Sequence, residues 1–206
     1  MIERYCNTRK INSLYHFTKI DNLESILTNG LVPVLVMREN KINYKANDLK
    51  RLDGTLEATS VSIGFPNYKL FTKFRFYEYP NYNWCVLELK REILWEKQCK
   101  FCSGNAASSA QKLNREAKFN DIDALKEMFQ DNRWGRDLFS KLPSDYTYNP
   151  QAEVLVYDII EPSYIKRIIF NENRFTLRYK HNENFEKFVF ETDIELFKPR
   201  KDYKEW

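Results

Sequence analysis

Ala152-Glu153-Val154-Leu155-Val156-Tyr157-Asp158-Ile159 carries an unbroken β-strand pattern. β-Branched and aromatic residues recur through it without glycine or proline. It follows the turn-rich Pro143-Ser144-Asp145-Tyr146-Thr147-Tyr148-Asn149-Pro150, so it reads as a strand. Alternation puts Glu153 on one face with Leu155 and Tyr157. An ionised carboxylate beside apolar neighbours must find partners or shift its pKa. Such a glutamate belongs either to an active site or to an edge strand facing water, and the pattern alone leaves both open.

Ile11 to Phe17 alternates as a strand, after which Thr18 or Asp21 can cap a short helix carrying Leu23, Ile26 and Leu27, ended at Gly30 by a left-handed cap. Met37 to Leu56 is polar and reads as a long loop. Thr59 to Phe65 and Asn83 to Leu89 are further strands, and Ser108 to Phe119 and Asp123 to Phe139 carry helical spacing. Downstream, Ile165 to Phe170, Phe175 to Tyr179 and Phe185 to Phe190 read as strands, with Asn171 to Asn173 and Lys180 to Asn184 as hairpin turns. Strands on both sides of mid-chain helices predict an α+β fold with largely antiparallel pairing.

The 206 residues suit one domain over 1–206, and 43% hydrophobic with 30% charged residues argues for a folded chain. Only five glycines occur and none form GxG, which removes Rossmann and Walker-type phosphate loops. No apolar run is long enough to span a bilayer and no signal-peptide core opens the chain, so a cytoplasmic protein without a membrane partner is expected. Cys6, Cys85, Cys99 and Cys102 read as idle thiols. The Cys99-x-x-Cys102 pair has metal spacing but too few further ligands, and no HExxH, GxSxG or acidic metal cluster occurs, so no metal is expected. The net charge of +4 is concentrated: Arg38 to Arg75 holds eight Lys/Arg against four acids, interleaved with Tyr44, Phe65, Tyr68, Phe71 and Phe74. Cations alternating with π-faces suit phosphates and unstacked bases, and equally suit a solvated face beside core aromatics. Of the two histidines, His16 sits at a strand end just before a helix, a position for either a structural or a functional imidazole.

Three blocks together resemble the DarT toxins, which are DNA ADP-ribosyltransferases. They are Leu14-Tyr15-His16-Phe17-Thr18-Lys19-Ile20-Asp21-Asn22-Leu23 with Ser25-Ile26-Leu27 and Gly30-Leu31, then Asn47-Asp48-x-x-Arg51-x-Asp53, and Pro150-Gln151-Ala152-Glu153-Val154-Leu155-Val156. With Ser62-Ile63-Gly64-Phe65-Pro66-Asn67-Tyr68 and Asn105-Ala106-Ala107-Ser108 between them, the likeness runs over roughly residues 12 to 170. It implies the ADP-ribosyltransferase fold, split antiparallel β-sheets around an NAD cleft with flanking helices. It also implies transfer of ADP-ribose from NAD+ to a base of single-stranded DNA, and a cognate antitoxin that reverses or blocks the modification. By the same resemblance His16 and Thr18 hold the nicotinamide-ribose end of NAD+, with Phe17, Asn22 and Ser25 near that pocket. Glu153 is the catalytic glutamate, and Arg51 lies at the NAD phosphates or beside the incoming base. Tyr44, Lys45, Tyr68, Lys69, Lys73 and Arg75 would supply stacking and phosphate contacts to the unpaired strand. Phe65-Pro66-Asn67-Tyr68-Lys69 is more like the guanine-modifying branch than the thymine-modifying one.

These roles have their own physical sense. Breaking the nicotinamide glycosidic bond leaves an oxocarbenium-like ribose, and a carboxylate bonded to its 2′-hydroxyl stabilises that charge. Glu153 also suits removal of the proton from the acceptor nitrogen, whereas a guanidinium stays protonated, which leaves Arg51 to orient and stabilise charge. The competing readings are a catalytically inactive nucleic-acid-binding module and transfer to RNA, protein or water.

Overall fold

The computed structural model describes residues 1–39, 56–106, 118–130 and 142–206. Among them β1 (Ser13–Lys19), β2 (Thr59–Ile63), β3 (Trp84–Lys90), β4 (Cys99–Cys102), β5 (Glu153–Val156), β6 (Ile165–Phe170) and β7 (Phe190–Thr192) form one sheet in the order β4-β5-β2-β1-β3-β6-β7. Helices pack around it, so the mixed architecture is the expected one. The two antiparallel groups implied by the resemblance are joined into a single sheet, but barely. β1 pairs with β3 over its full length, yet meets β2 only at Leu14↔Ile63 and Tyr15↔Ser62.

One face carries the main core. Leu14, Val61, Ile63, Leu87, Leu89, Phe101, Val154, Val156, Ile168 and Phe170 are buried there against Cys6, Leu23, Leu27, Leu125 and Tyr179 from the helices. This core runs under both groups of strands. The second face is divided. Over β1, β3 and β6 lies an aromatic cluster of Phe71, Phe74, Trp84, Val86, Ile169 and Phe197 with Tyr15 and Phe17 packed on it. Over β4 and β5 lies a separate small cluster of Ala58, Ala106 and Leu155 with Cys102 and Tyr157.

Phe175 to Tyr179 is not a strand but part of the helix Asn173–Lys180, because Phe175 and Tyr179 satisfy i, i+4 as well as period 2 and both reach Phe170 in the core. Phe185 ends a 3₁₀ turn and only Phe190–Thr192 is strand. The intervening helix makes β6–β7 a parallel pair, which a hairpin could not give. Gly30 has φ 85 and ψ −177, positive but not the left-handed helical cap; its carbonyl-side neighbour Leu31 bridges to Ile160, and a Cβ on Gly30 would collide with the Ile160 carbonyl oxygen. Neither Thr18 nor Asp21 caps the Leu23–Asn29 helix, since Thr18 stays in β1 and Asp21 lies in a 3₁₀ turn. Helix Ile122–Glu127 is capped by Asp121, which accepts from Asp123 N at 2.9 Å. The parts of the expected helices at 108–117 and 131–139, and most of the expected Met37 to Leu56 loop, lie outside the described residues.

On the second face Glu88 is buried at a β-bulge in β3. It accepts hydrogen bonds from Ser13, Lys166 and Arg167, and Arg167 also pairs with Glu191. Burial pushes the Glu88 carboxyl up, but the hydrogen bonds from Lys166, Ser13 and Arg167 outweigh it and hold the group below its ordinary value. A depressed folded pKa contributes stability that is present above the unfolded carboxylate value of about 4.3 and lost as pH falls through the folded one. Glu88→Gln is expected to cost about 2 kcal/mol at neutral pH. That is less than a fully buried pair because Lys166 and Arg167 are each about a third exposed. The same variant should flatten the acid limb of unfolding followed by circular dichroism below about pH 5.

Candidate active site

Glu153 is the first residue of β5 and only 6% exposed, so the edge-strand reading in which it points to water is excluded. Its Oε2 accepts from the Ala106 backbone N–H at 2.9 Å, which fixes the plane of the carboxylate. It pairs with Cys102 of β4, and the β2–β5 register continued one step past Val61↔Val154 sets Ser62 beside it. Ser62 faces Tyr15, and Tyr15 faces Glu88. Cys102, Glu153, Ser62, Tyr15 and Glu88 therefore make one row across the second face of the sheet. Burial, with Glu88 close by, raises the Tyr15 phenol well above its usual range and keeps it neutral.

His16 lies where β1 and β2 part. Its Nδ1 is 2.8 Å from the Ser60 carbonyl oxygen, and since a carbonyl can only accept, Nδ1 carries the proton. The imidazole thus supplies a donor where the β1–β2 ladder has stopped, and in the neutral ring Nε2 is an acceptor. Ser60 is the ladder partner of Leu155, two residues along β5 from Glu153. His16 and Glu153 accordingly stand on strands flanking β2 on its two sides, Glu153 in the row of Ser62 and Tyr15 and His16, opposite Leu87, in the alternate one.

The other residues expected at the nicotinamide end are partly brought together. Asn22 Nδ2 donates to Thr18 Oγ1 at 3.1 Å, tying the end of β1 to the turn that follows it. Phe17 stacks on Phe71 at 4.5 Å and meets Phe74 and Trp84 edge-on, within the aromatic cluster. Ser25 is one turn further on and accepts from Asn29 Nδ2 at 3.4 Å.

Arg51, Tyr44 and Lys45 lie outside the described residues. Tyr68 is buried with its hydroxyl, so where it stands its ring presents little surface for stacking. Lys69 donates to the Trp206 carbonyl, and Lys73 pairs with Glu78 at 2.8 Å. Arg75 donates to the Phe197 carbonyl at 2.8 Å and lies over the Phe71, Phe76 and Phe197 rings. The aromatics exposed in this region are instead Phe76 (60%) and Tyr77 (79%) on the π-helical turn Phe74–Glu78. They adjoin the end of the basic-aromatic stretch, which is the signal by which sequence reasoning could have reached them.

Cys99 and Cys102 sit three residues apart on a strand and so point to opposite faces, Cys99 into the main core and Cys102 beside Leu155, an arrangement unsuited to sharing one ion. Burial pushes the Cys6 thiol up to about 11 and Cys99 up to about 12. No group of three or more metal-ligating side chains occurs among the described residues, and none of their helices is long and apolar enough to cross a membrane.

Solved structures with this arrangement are similar over most of the chain. Thermosipho africanus DarTG in complex with ADP-ribose matches with a TM-score of 0.65 at 20% identity, over 90% of this chain but 51% of that one. This chain thus spans about half the length of that relative. Thermus sp. 2.9 DarT in complex with NAD+ matches with a TM-score of 0.60 at 16% identity, over 91% of this chain and 98% of that one. The same Thermus protein in complex with ADP-ribosylated ssDNA matches with a TM-score of 0.57 at 16% identity, over 92% and 97%. No curated protein matches the sequence. The family model for DarT, described as ssDNA thymidine ADP-ribosyltransferase, matches residues 15–186. Running from the histidine strand through Glu153 and on past β6, that match means that this chain belongs to the DarT family.

Proposed function

We propose that this protein transfers ADP-ribose from NAD+ to a base of single-stranded DNA and releases nicotinamide. The observation that carries the reading is the buried Glu153 carboxylate, oriented by the Ala106 N–H and flanked across β2 by a histidine of defined tautomer. The donors and acceptors of the site suit a ribose and an amide: the His16 imidazole, the Thr18–Asn22 pair and the Glu153 carboxylate. His16, Thr18 and Asn22, with Phe17 and Ser25 beside them, hold the nicotinamide-ribose end. As the glycosidic bond breaks, Glu153 accepts a hydrogen bond from the ribose 2′-hydroxyl and stabilises the developing positive charge, then takes the proton from the attacking base. Arg51 stabilises phosphate or base charge, and Lys69, Lys73 and Arg75 with Tyr44 and Lys45 line the path of the strand, whereas the buried Tyr68 supports it from beneath. The proposed base is guanine, on the Phe65 to Lys69 block, whereas the family model has thymidine in its description. We take the chain as one domain acting in the cytoplasm as a toxin, restrained by a cognate antitoxin; no metal is required.

The test is incubation with labelled NAD+ and oligonucleotides each lacking one base type, with RNA and protein acceptors in parallel. Label on every oligonucleotide except the one lacking guanine is the expected result. Loss of label only without thymine moves the assignment to thymine; label on RNA or protein alone, or no nicotinamide release, removes the DNA reading. A second expected outcome concerns His16→Ala. Losing one hydrogen bond of about 1–2 kcal/mol should raise the KM for NAD+ roughly 5- to 30-fold, measured by nicotinamide release.

A further inference from the structure

Arg200 is 2% exposed, so its cation must be fully matched by partners inside the protein. One edge of the guanidinium takes the Asp202 carboxylate in a fork, Nε to Oδ1 and Nη2 to Oδ2, each at 2.6 Å. The other edge donates to two consecutive backbone carbonyls, Nη1 to Thr147 O at 2.7 Å and Nη2 to Tyr148 O at 2.9 Å. Consecutive carbonyls of an extended chain point apart, so the turn at Thr147–Tyr148 is shaped around the guanidinium. Asp202 is held in turn by Trp206 Nε1 at 2.9 Å, and the Trp206 ring meets Tyr148 edge-on at 5.3 Å.

That turn leads straight into Glu153. Thr147 Oγ1 donates to Asn149 O, Gln151 N to Asn149 Oδ1, and Ala152 N to Asn149 O, all at 2.9–3.0 Å. Of the four residues between the clamp and the carboxylate, Asn149, Gln151 and Ala152 are bonded to one another, which favours passing a shift along the loop. We propose that Arg200 is a positioning residue, which through Thr147 and Tyr148 sets the loop beside Glu153 and so decides how much of the ADP-ribose reaches the DNA base instead of water. This rests on the proposed function above. A lysine would keep the charge but could not span a carboxylate and two carbonyls together.

The experiment uses the full chain with Arg200→Lys and Arg200→Ala, measuring nicotinamide release and oligonucleotide labelling side by side. The partition between them is independent of how much protein is folded. In Arg200→Lys the kcat for transfer should fall about 10- to 100-fold, with the KM for NAD+ within about twofold, since the residues proposed to hold NAD+ are on β1 and the turn and helix that follow it. Nicotinamide released per labelled base should rise, and millimolar guanidinium should restore part of the transfer in Arg200→Ala. Should Arg200→Ala fail to fold, Arg200→Lys and Asp202→Asn carry the measurement. A wild type that transfers, alongside variants with unchanged partition and with activity reduced only in proportion to folded protein, overturns the role of Arg200 alone. A wild type that transfers nothing removes the reaction, and this role with it.

Discussion

Glu153→Gln is expected to reduce ADP-ribose transfer to single-stranded DNA by about a thousandfold or more while leaving the protein folded. The glutamine amide has the same shape and its oxygen can still accept from the Ala106 N–H, so the backbone around β5 keeps its partner. What it loses is the negative charge facing the ribose as nicotinamide leaves, and the ability to take a proton from the base. The KM for NAD+ should change little, because the lost interaction is made chiefly in the transition state. Stability should change by less than about 1 kcal/mol and could rise, since a buried charge is replaced by a neutral group. Glu153→Ala gives the same loss of transfer but strands a buried N–H, at a cost of about 1–3 kcal/mol. Label transfer and thermal melting, measured on the same preparations, check both. Transfer retained in Glu153→Gln would sink the assignment.

The largest expected effect on stability is at Gly64. It ends β2 with φ +76, and its N–H donates to Ser13 O at 3.2 Å. A Cβ there would press into the Asp145 carbonyl oxygen and carbon and touch the Tyr146 ring. An L-residue at positive φ costs about 1–2 kcal/mol before any collision, and here the colliding atoms are backbone. Gly64→Ala is expected to lose about 3 kcal/mol in all, lowering Tm by about 6–12 °C for a chain of this size. Because Asp145 and Tyr146 begin the loop that Arg200 holds from its other side, transfer should fall further than the melting shift explains. A variant that melts like the wild type would mean that the loop does not press on β2 as described.

Much of the sheet was legible in the sequence. β2 follows from strict alternation, Val61 and Ile63 against Ser60 and Ser62, and β1, β3, β5 and β6 from short apolar runs rich in β-branched and aromatic residues. β4 escaped notice: Cys99-Lys100-Phe101-Cys102 is four residues long and carries a lysine, too short for periodicity to register. The helix at Phe175 does not stand out from a strand, because five residues cannot separate two periods that both place Phe175 and Tyr179 inward. Glu153 could be singled out as an odd carboxylate on an apolar face, but its partner, the Ala106 N–H, lies 47 residues away and only the fold brings it near. Nothing in Pro199-Arg200-Lys201-Asp202-Tyr203-Lys204 distinguishes the buried Arg200 from its solvated neighbours. Burial of a single charge in a charged run is decided by where the chain happens to dock.

The two-pair contact between β1 and β2 has a mechanical consequence. Apolar packing continues beneath it on the main-core side, whereas the aromatic cluster and the small Ala58–Ala106–Leu155 cluster on the opposite side do not merge. The molecule is thus built like a book: a bound spine behind, two leaves in front, and one imidazole clasp that His16, on the spine side with Leu87, makes to the Ser60 carbonyl in the gap. The leaves are separate on the side where Glu153 is displayed, so any spreading there is resisted by the two β1–β2 pairs, the clasp and the spine behind them.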